Sequence, residues 1–547
     1  MGDKTQLRTL FTAFQNAEGS LALARLITLA FLVVRVIAVV RHQHDIDEAQ
    51  NLHLVYGWLQ GELPYRDRFD NHAPLFSLLF VPLAALVGET PHIVLLARLA
   101  LFPVGLGILW LVFAISKKLA NREIAWWTVA ISLAFADWSL KSIEFRPDVV
   151  WAFFWFFAVW LLVRGLPRLT PLNSFFIGFS LGIALCASIK TTFLVPALGA
   201  GCVAAFFFSK QLRNFVDWPG ALTHTAIAIA GFALAPGLVF GWIILQGTSW
   251  EAIRFCLIDV NRLPFDPIRP AIAAVISPAL LFVSWRLFSG PDRESAARGI
   301  VFFAMGAYLL ALFGFAPELR KQTFLVAYPL LILFLCRFAF SLRVQPALPR
   351  IAALGTCAGL FLHLALESKL WRDGLREHRE LLTDVLAYTD KGDHLLDGRG
   401  ETIYADRPVY LTYVAITAQK IKEGKLPATD LNALAKTGTG IAIGPLNGLP
   451  EALREFLKQN YLLEEDGRLR AAGKVLKPSW QKDRWIADAD VRIPGRYLLL
   501  KNGLSTREVT VTIPGTHSFD FGADPSRAIL IWKEAWDNGF RPLNGRM

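Results

Sequence analysis

Long apolar runs separated by short polar loops fill the chain as far as about residue 366; beyond it, charged and apolar positions mix as in water-soluble sequence. A helix needs roughly 20 apolar residues to cross a bilayer core. On that criterion spans are predicted at 21–40, 93–116, 123–140, 149–163, 172–189, 193–209, 222–245, 271–289, 299–315, 323–342 and 350–366, about eleven in all. The first run, LALARLITLAFLVVRVIAVV, carries no small-residue cleavage site and is expected to stay attached as a helix. The run 74–87, PLFSLLFVPLAALV, is short for a span and is predicted to lie in the interface.

With 74–87 not crossing, the loops that hold Lys117, Lys118 and Arg122, Arg164 and Arg168, Lys210 and Arg213, Arg293 and Arg298, and Arg343 and Arg350 share the side of Lys4 and Arg8. Those loops have few acids, so that side is predicted to be cytoplasmic. Loop 41–73, the segment EFRPD at 144–148 and the whole tail then lie outside the cytoplasmic membrane. Composition agrees with an integral membrane protein: 547 residues, 54% hydrophobic, 18% charged, mean hydropathy +0.41. The net charge of +11 comes with no Lys/Arg block interleaved with aromatics, so an anionic lipid or lipid-phosphate partner is expected and nucleic acid is not. Cys186, Cys202, Cys256, Cys336 and Cys357 lie in or beside apolar segments and indicate no disulfide framework.

Candidate chemistry concentrates between the first span and Pro74, in RHQHDIDEAQNLHLVYGWLQGELPYRDRFDNHAPL. Asp45, Asp47, Glu48, Asp67 and Asp70 stand there beside His42, His44, His53 and His72. Ionisable groups so near a bilayer are costly unless they line a site. Leu52, Val55, Tyr56 and Leu59 recur at helical spacing, which predicts an amphipathic interfacial helix over 47–60. Asp47 and Glu48 fall in its first turn, where the helix dipole keeps a carboxylate ionised and able to accept a proton. The plainer reading is that Asp45 or Asp47 caps the helix. A divalent cation on Asp45 and Asp47 is a minority reading, since no ligand spacing such as H-E-x-x-H accompanies them.

The pattern Asp-Glu, an amphipathic helix, G-x-L-P-Y-R-D and a polar residue before a Pro-Leu apolar helix resembles the first external loop of GT-C glycosyltransferases that use polyprenyl-phosphate sugars. Protein O-mannosyltransferases and the aminoarabinose or galacturonic acid transferases of lipid A and lipopolysaccharide core are the groups it resembles most. The likeness is specific over about 40–75, extends by topology to 366 and does not cover the tail. It implies Asp47 as catalytic base and a second acid at Asp148, with Glu48 beside the base. Tyr65, Arg66, Asp70 and Arg146 are implied to shape the loop or meet the acceptor. Where related enzymes have a donor-binding Lys, this chain has His72, so the donor phosphate is expected to use further cations: Lys190, Arg254, Arg262, Arg320 and Lys321.

A departing lipid phosphate gains negative charge, which fixed cations stabilise, while a carboxylate takes the acceptor's proton. One carboxylate suffices for a single displacement, so inversion at the sugar is expected. Each role has a simpler alternative: Asp148 as an ion-pair partner of Arg146, Lys190 as a snorkelling side chain, and the arginines as interfacial anchors. The competing functions are a lipid-linked sugar transporter or flippase, which needs no base, and a non-catalytic partner in glycan assembly.

The chain thus divides into a membrane domain over 1–366 and a tail. Alternating helix and strand predict an α/β region over 367–475, and the period-two runs ADVRIPGRYLLLKNG, REVTVTIPG and RAILIWKEAW predict a β-sandwich-like region over 476–547.

Overall fold

The computed structural model describes residues 16–543 except 167, 209–212, 214–216, 263–267, 269, 270, 272–293, 317, 318, 343, 428, 482 and 523–526. The predicted span 271–289 lies, apart from residue 271, outside the described residues. Two compact units are present: Met1–His44, Asn71–Phe80 and Leu95–Leu375 form the first, and Asp45–Asp70, Val81–Val94 and Arg376–Met547 form the second.

The first unit is helical and belongs to a polytopic membrane protein. Among the described residues seven helices of the chain are long and apolar enough to cross a membrane: Ala17–Arg41, Ile93–Leu119, Pro147–Gly165, Thr191–Phe208, Trp218–Leu245, Ser295–Phe315 and Ala347–Ser368. Leu75–Val87, Pro171–Ala187 and Tyr328–Ser341 are apolar but shorter. The span expected at 123–140 is two helices, Arg122–Ala134 and Ala136–Lys141, broken at Phe135, whose backbone is extended. Helix Pro147–Gly165 starts where a proline can: Pro147 occupies the first turn, whose N–H groups have no helical partner, and Arg146 before it is extended.

Small residues set the closest helix contacts. A Cβ on Gly178, Gly182 or Gly231 would overlap a carbonyl of the facing helix (Ala228, Phe232 and Phe175 respectively), so Pro171–Ala187 and Trp218–Leu245 touch backbone to backbone. Lipid is as apolar as leucine, so such packing is what holds helices together in a bilayer. Two buried arginines brace the region around the site. Arg35 donates to Ser142 Oγ at 2.8 Å and to Ser142 O at 2.9 Å; Arg98 donates to His42 O at 2.8 Å and Gln43 O at 2.9 Å.

The second unit holds helix Ile46–Leu59 and a mixed sheet. Its strands are β1 (Leu395–Leu396), β2 (Ile441–Ile443), β3 (Tyr461–Leu463), β4 (Leu469–Leu476), β5 (Ser479–Gln481), β6 (Arg484–Val491), β7 (Gly495–Lys501), β8 (Leu504–Val511), β9 (Gly515–Asp520) and β10 (Ala528–Trp532). The larger sheet runs β1-β2-β4-β10-β7-β8 with β3 on β4; β5-β6-β9 form a smaller one. The expected division at 475 does not separate two folds, because β4 pairs with β2 on one edge and with β10 on the other. Both predicted regions therefore share one sheet. On one face Leu453 and Leu457 of helix Glu451–Asn460 join Val491 and Phe519 of the smaller sheet over Leu499 and Leu530. On the other, Val385 and Tyr388 of helix Arg376–Tyr388 cover Leu498, Leu500 and Ile531.

Candidate functional site

The first unit contains a buried chain of alternating charges. The segment LKSIEFRPD places Lys141, Glu144, Arg146 and Asp148 between helix Ala136–Lys141 and the first turn of helix Pro147–Gly165. Lys141 Nζ donates to Glu144 Oε1 at 2.8 Å, Arg146 reaches Glu144 Oε2 at 3.0 Å, and Arg146 Nε lies 3.5 Å from Asp148 Oδ2. Lys190 closes the row, with Nζ 2.5 Å from Asp148 Oδ1. His42 Nε2 is 3.5 Å from Glu144. Glu144, Arg146 and Asp148 have side chains no more than 5% exposed, whereas Lys190 keeps 28% of its side chain accessible. Cation and carboxylate alternate along the row, from Lys141 through Glu144, Arg146 and Asp148 to Lys190.

Lys190 sits between helices Pro171–Ala187 and Thr191–Phe208, and its ammonium also lies 5.7 Å from the Trp151 ring centroid. Trp151 is fixed by its indole N–H on Thr191 Oγ1 at 3.0 Å. His72, half-buried, and Tyr308, buried, are within electrostatic range of Asp148. Tyr308 donates to Thr323 O at 2.8 Å. The arrangement can hold an anion: a shielded cation row with one ammonium still reachable from outside.

The other expected cations are placed differently. Arg254 and Arg262 pair with Asp259 at 3.2 and 3.7 Å on an exposed turn. Lys321 bridges Asp137 at 2.8 Å and Glu367 at 2.9 Å, and these carboxylates hold its pKa above the ordinary value. Arg320 precedes it with an extended backbone. The structure therefore brings Lys190, Arg146, Asp148 and His72 together, and groups Arg254 with Arg262 elsewhere. It also adds Lys141 and Glu144, which sequence reasoning missed, and places His42 of loop 41–73 beside Glu144; the alternation of charge through K-x-x-E-x-R-x-D was the available signal.

The expected loop residues lie in the second unit. Asp45 caps helix Ile46–Leu59: its Oδ1 accepts the Asp47 N–H at 3.0 Å, while Glu48 Oε2 accepts the Asp45 N–H at 3.1 Å. This reciprocal capping box engages both Asp45 and the fully buried Glu48. Asp47 is half-buried in the first turn, as its position predicts. The helix is not the amphipathic surface element expected: every residue from Glu48 to Gly57 is buried, including Gln50, Asn51 and His53. The apolar stripe is real, but protein covers the polar face as well.

Tyr65 is buried at φ 69°, a left-handed conformation uncommon for a residue with a side chain. Arg66 pairs with Asp67 at 2.7 Å on the surface, which holds the Asp67 carboxyl below its usual range. Asp70 is buried. Arg68, absent from the expected set, is the hub: it pairs with Glu62, with His53 and, at 3.1 Å, with Asp406. Burial pushes the Glu62 carboxyl up despite that cation.

For metal, the described residues bring three carboxylates together in Asp384, Glu464 and Asp466, with ligand atoms within 4.8 Å. Arg468 already pairs with Asp384 at 2.7 Å and Asp466 at 2.6 Å, and the Tyr388 hydroxyl donates to Glu464 at 2.6 Å. Arg468 is thus shared among the carboxylates, and the cluster is an ion-pair network built around one guanidinium. Asp45, whose carboxylate accepts a backbone N–H, is a capping residue rather than an evident ligand.

No protein-family model and no curated protein sequence matches the chain. Among solved structures, ArnT from Cupriavidus metallidurans in the apo state aligns at 15% identity over 82% of this chain and 97% of its own, with a TM-score of 0.52. The same protein bound to undecaprenyl phosphate aligns at 12% identity over 81% and 97%, with a TM-score of 0.52. The Archaeoglobus fulgidus oligosaccharyltransferase reaches a TM-score of only 0.47 at 12% identity over 83% and 73%. The chain thus shares the fold of ArnT over most of its length, with a polytopic helical membrane domain followed by a C-terminal mixed α and β region.

Proposed function

We propose that this chain, sharing its fold with a protein solved in complex with undecaprenyl phosphate, is an inverting glycosyltransferase that takes its sugar from a polyprenyl-phosphate donor. The acceptor is an extracytoplasmic lipid, glycan or protein of the cell envelope, and the enzyme resides in the cytoplasmic membrane with its site on the outer side. One observation carries the reading: a shielded cation row ends in Lys190, an ammonium that stays 28% accessible while a buried carboxylate orients it. Lys190, with Arg146 behind it and His72 nearby, receives the phosphate and stabilises the charge that builds as the glycosidic bond breaks.

Asp148 is better suited to holding these cations than to taking a proton, because each of its oxygens faces a cation, at 2.5 and 3.5 Å. That leaves Asp47 as the general base. It stands half-buried in the first turn of a capped helix. Taking the acceptor hydroxyl's proton, it lets oxygen attack the anomeric carbon opposite the departing phosphate, with inversion. Tyr65, Arg66 and Asp70 shape the loop that bears the base.

Asp47→Asn tests this in the purified full chain with a radiolabelled polyprenyl-phosphate sugar. Transfer is expected to fall at least ~100-fold, the usual contribution of a general base, while lipid-phosphate binding is retained. Full turnover in the variant would overturn the assignment, and transbilayer movement of the donor without bond cleavage would favour the flippase reading instead.

A further inference from the structure

We infer that the C-terminal region serves as the mount for the helix bearing the base, with Arg68 as the latch between them; this rests on the reading of Asp47 above. Helix Ile46–Leu59 belongs to the same compact unit as residues 376–547. A free helix of this length is marginal in water, because nucleation is costly and few turns follow it. Its order must come from packing, and the loop after β1 supplies part of it.

The contacts are specific. His53 Nδ1 lies 2.9 Å from Ile403 O, and its Nε2 meets the Arg68 guanidinium. A guanidinium has no acceptor, so Nε2 must accept and Nδ1 must donate, which fixes one neutral tautomer. Burial, reinforced by Arg68 and Arg407, holds the His53 pKa well below its usual value. Arg68 completes the fork on Gln60 Oε1 at 3.2 Å and on Asp406 Oδ1 at 3.1 Å. The chain beyond the helix is clasped too: the Tyr410 hydroxyl donates to Tyr65 O at 2.6 Å, and Phe69 N–H to Tyr410 O at 3.3 Å. Tyr65 keeps its left-handed conformation because these bonds over-determine it. Gly400, at φ 89°, leaves no room for a Cβ, which would lie 2.7 Å from His53 Cβ.

A general base must be held to within about 0.5 Å of its productive position, and a misplacement near 1 Å costs on the order of 100-fold in rate. Arg68 is therefore a positioning residue. Arg68→Ala should lower kcat ~30–100-fold with donor KM and lipid-phosphate binding unchanged, and should speed amide hydrogen exchange over 46–59 and 397–413. Asp406→Asn, which removes only the C-terminal half of the latch, should show the same pattern more weakly and guards against a folding failure of the first variant. Pairing Phe69→Cys with Tyr410→Cys in the Arg68→Ala background should restore kcat on oxidation and lose it on reduction. Loss of kcat with unchanged exchange would overturn the inference, since Arg68 would then act in the chemistry itself; so would accelerated exchange with full kcat. Should Asp47→Asn retain full turnover, the base assignment alone fails, and exchange in Arg68→Ala and Asp406→Asn still decides whether the mount exists: acceleration confined to those two segments supports it, and no change refutes it.

Discussion

Replacing Asp148 by Asn keeps the shape of the buried site and removes one charge, so its consequences follow from the neighbours left behind. At 2.5 Å and an effective dielectric near 20, the attraction between Asp148 and Lys190 is roughly 7 kcal/mol before desolvation is subtracted. Removing one partner of a fully buried pair costs about 3–5 kcal/mol because the other charge is stranded. Here neither cation is stranded. Arg146 retains Glu144 at 3.0 Å, and Lys190 retains water on an accessible side chain together with the Trp151 face. The expected loss is therefore about 1–3 kcal/mol, read as a lowered unfolding transition of the full chain in detergent micelles. Lipid-phosphate binding should move the other way. The substitution removes one negative charge, and one charge some 6 Å from a phosphate in a half-solvated site is worth about 1 kcal/mol. Titration with undecaprenyl phosphate, followed by tryptophan fluorescence, should show Kd tightened ~5–10-fold. An intact variant with unchanged or weaker binding would refute the idea that Asp148 competes with the phosphate for Lys190.

Lys190→Ala should do the opposite, weakening lipid-phosphate binding at least ~10-fold with a small effect on unfolding, as charge-assisted bonds to phosphate are worth about 1.5–3 kcal/mol. Glu48→Gln should keep transfer within a few-fold, because Gln can serve in a capping box, whereas Glu48→Ala should destabilise the loop helix by about 1 kcal/mol; hydrogen exchange and initial rates check both. Burial raises the Glu464 carboxyl to about 7, above its usual 4.5. The folded state then binds more protons than the unfolded one between those values, so the C-terminal region should lose stability as pH rises from about 4.5 to 7, and Glu464→Gln should flatten that slope. Gly178→Leu should prevent the backbone contact of Pro171–Ala187 with Trp218–Leu245 and sharply reduce the folded yield, measured by size-exclusion profile.

Elements that depend on local sequence were legible before the fold was known. Span lengths follow from hydropathy, and helix Ile46–Leu59, the Pro147 start and strands such as β7 and β10 lie where periodicity and turn residues place them. What periodicity could not reveal is what covers a face. Helix Ile46–Leu59 has the pattern of an interfacial helix, yet it is buried all round because a segment some 350 residues away packs on it. The strand runs before and after 475 read as two regions, since hydrogen-bond partners across a sheet leave no mark in either strand alone.

The candidate site divides in the same way. By itself the sequence marked the candidates: an Asp at the start of a helix after the first span, and the charged pair Arg146 and Asp148 before the next. Only the tertiary structure decided how those charges are used. Lys190 meets Asp148 across 42 positions, Arg254 and Arg262 are taken up by Asp259, and Arg68 joins Asp406 across 338 positions. A side chain's charge is fixed by its own atoms, but in a low-dielectric interior its role is set by whichever counter-charge the fold brings within about 4 Å, and that is a property of the folded chain.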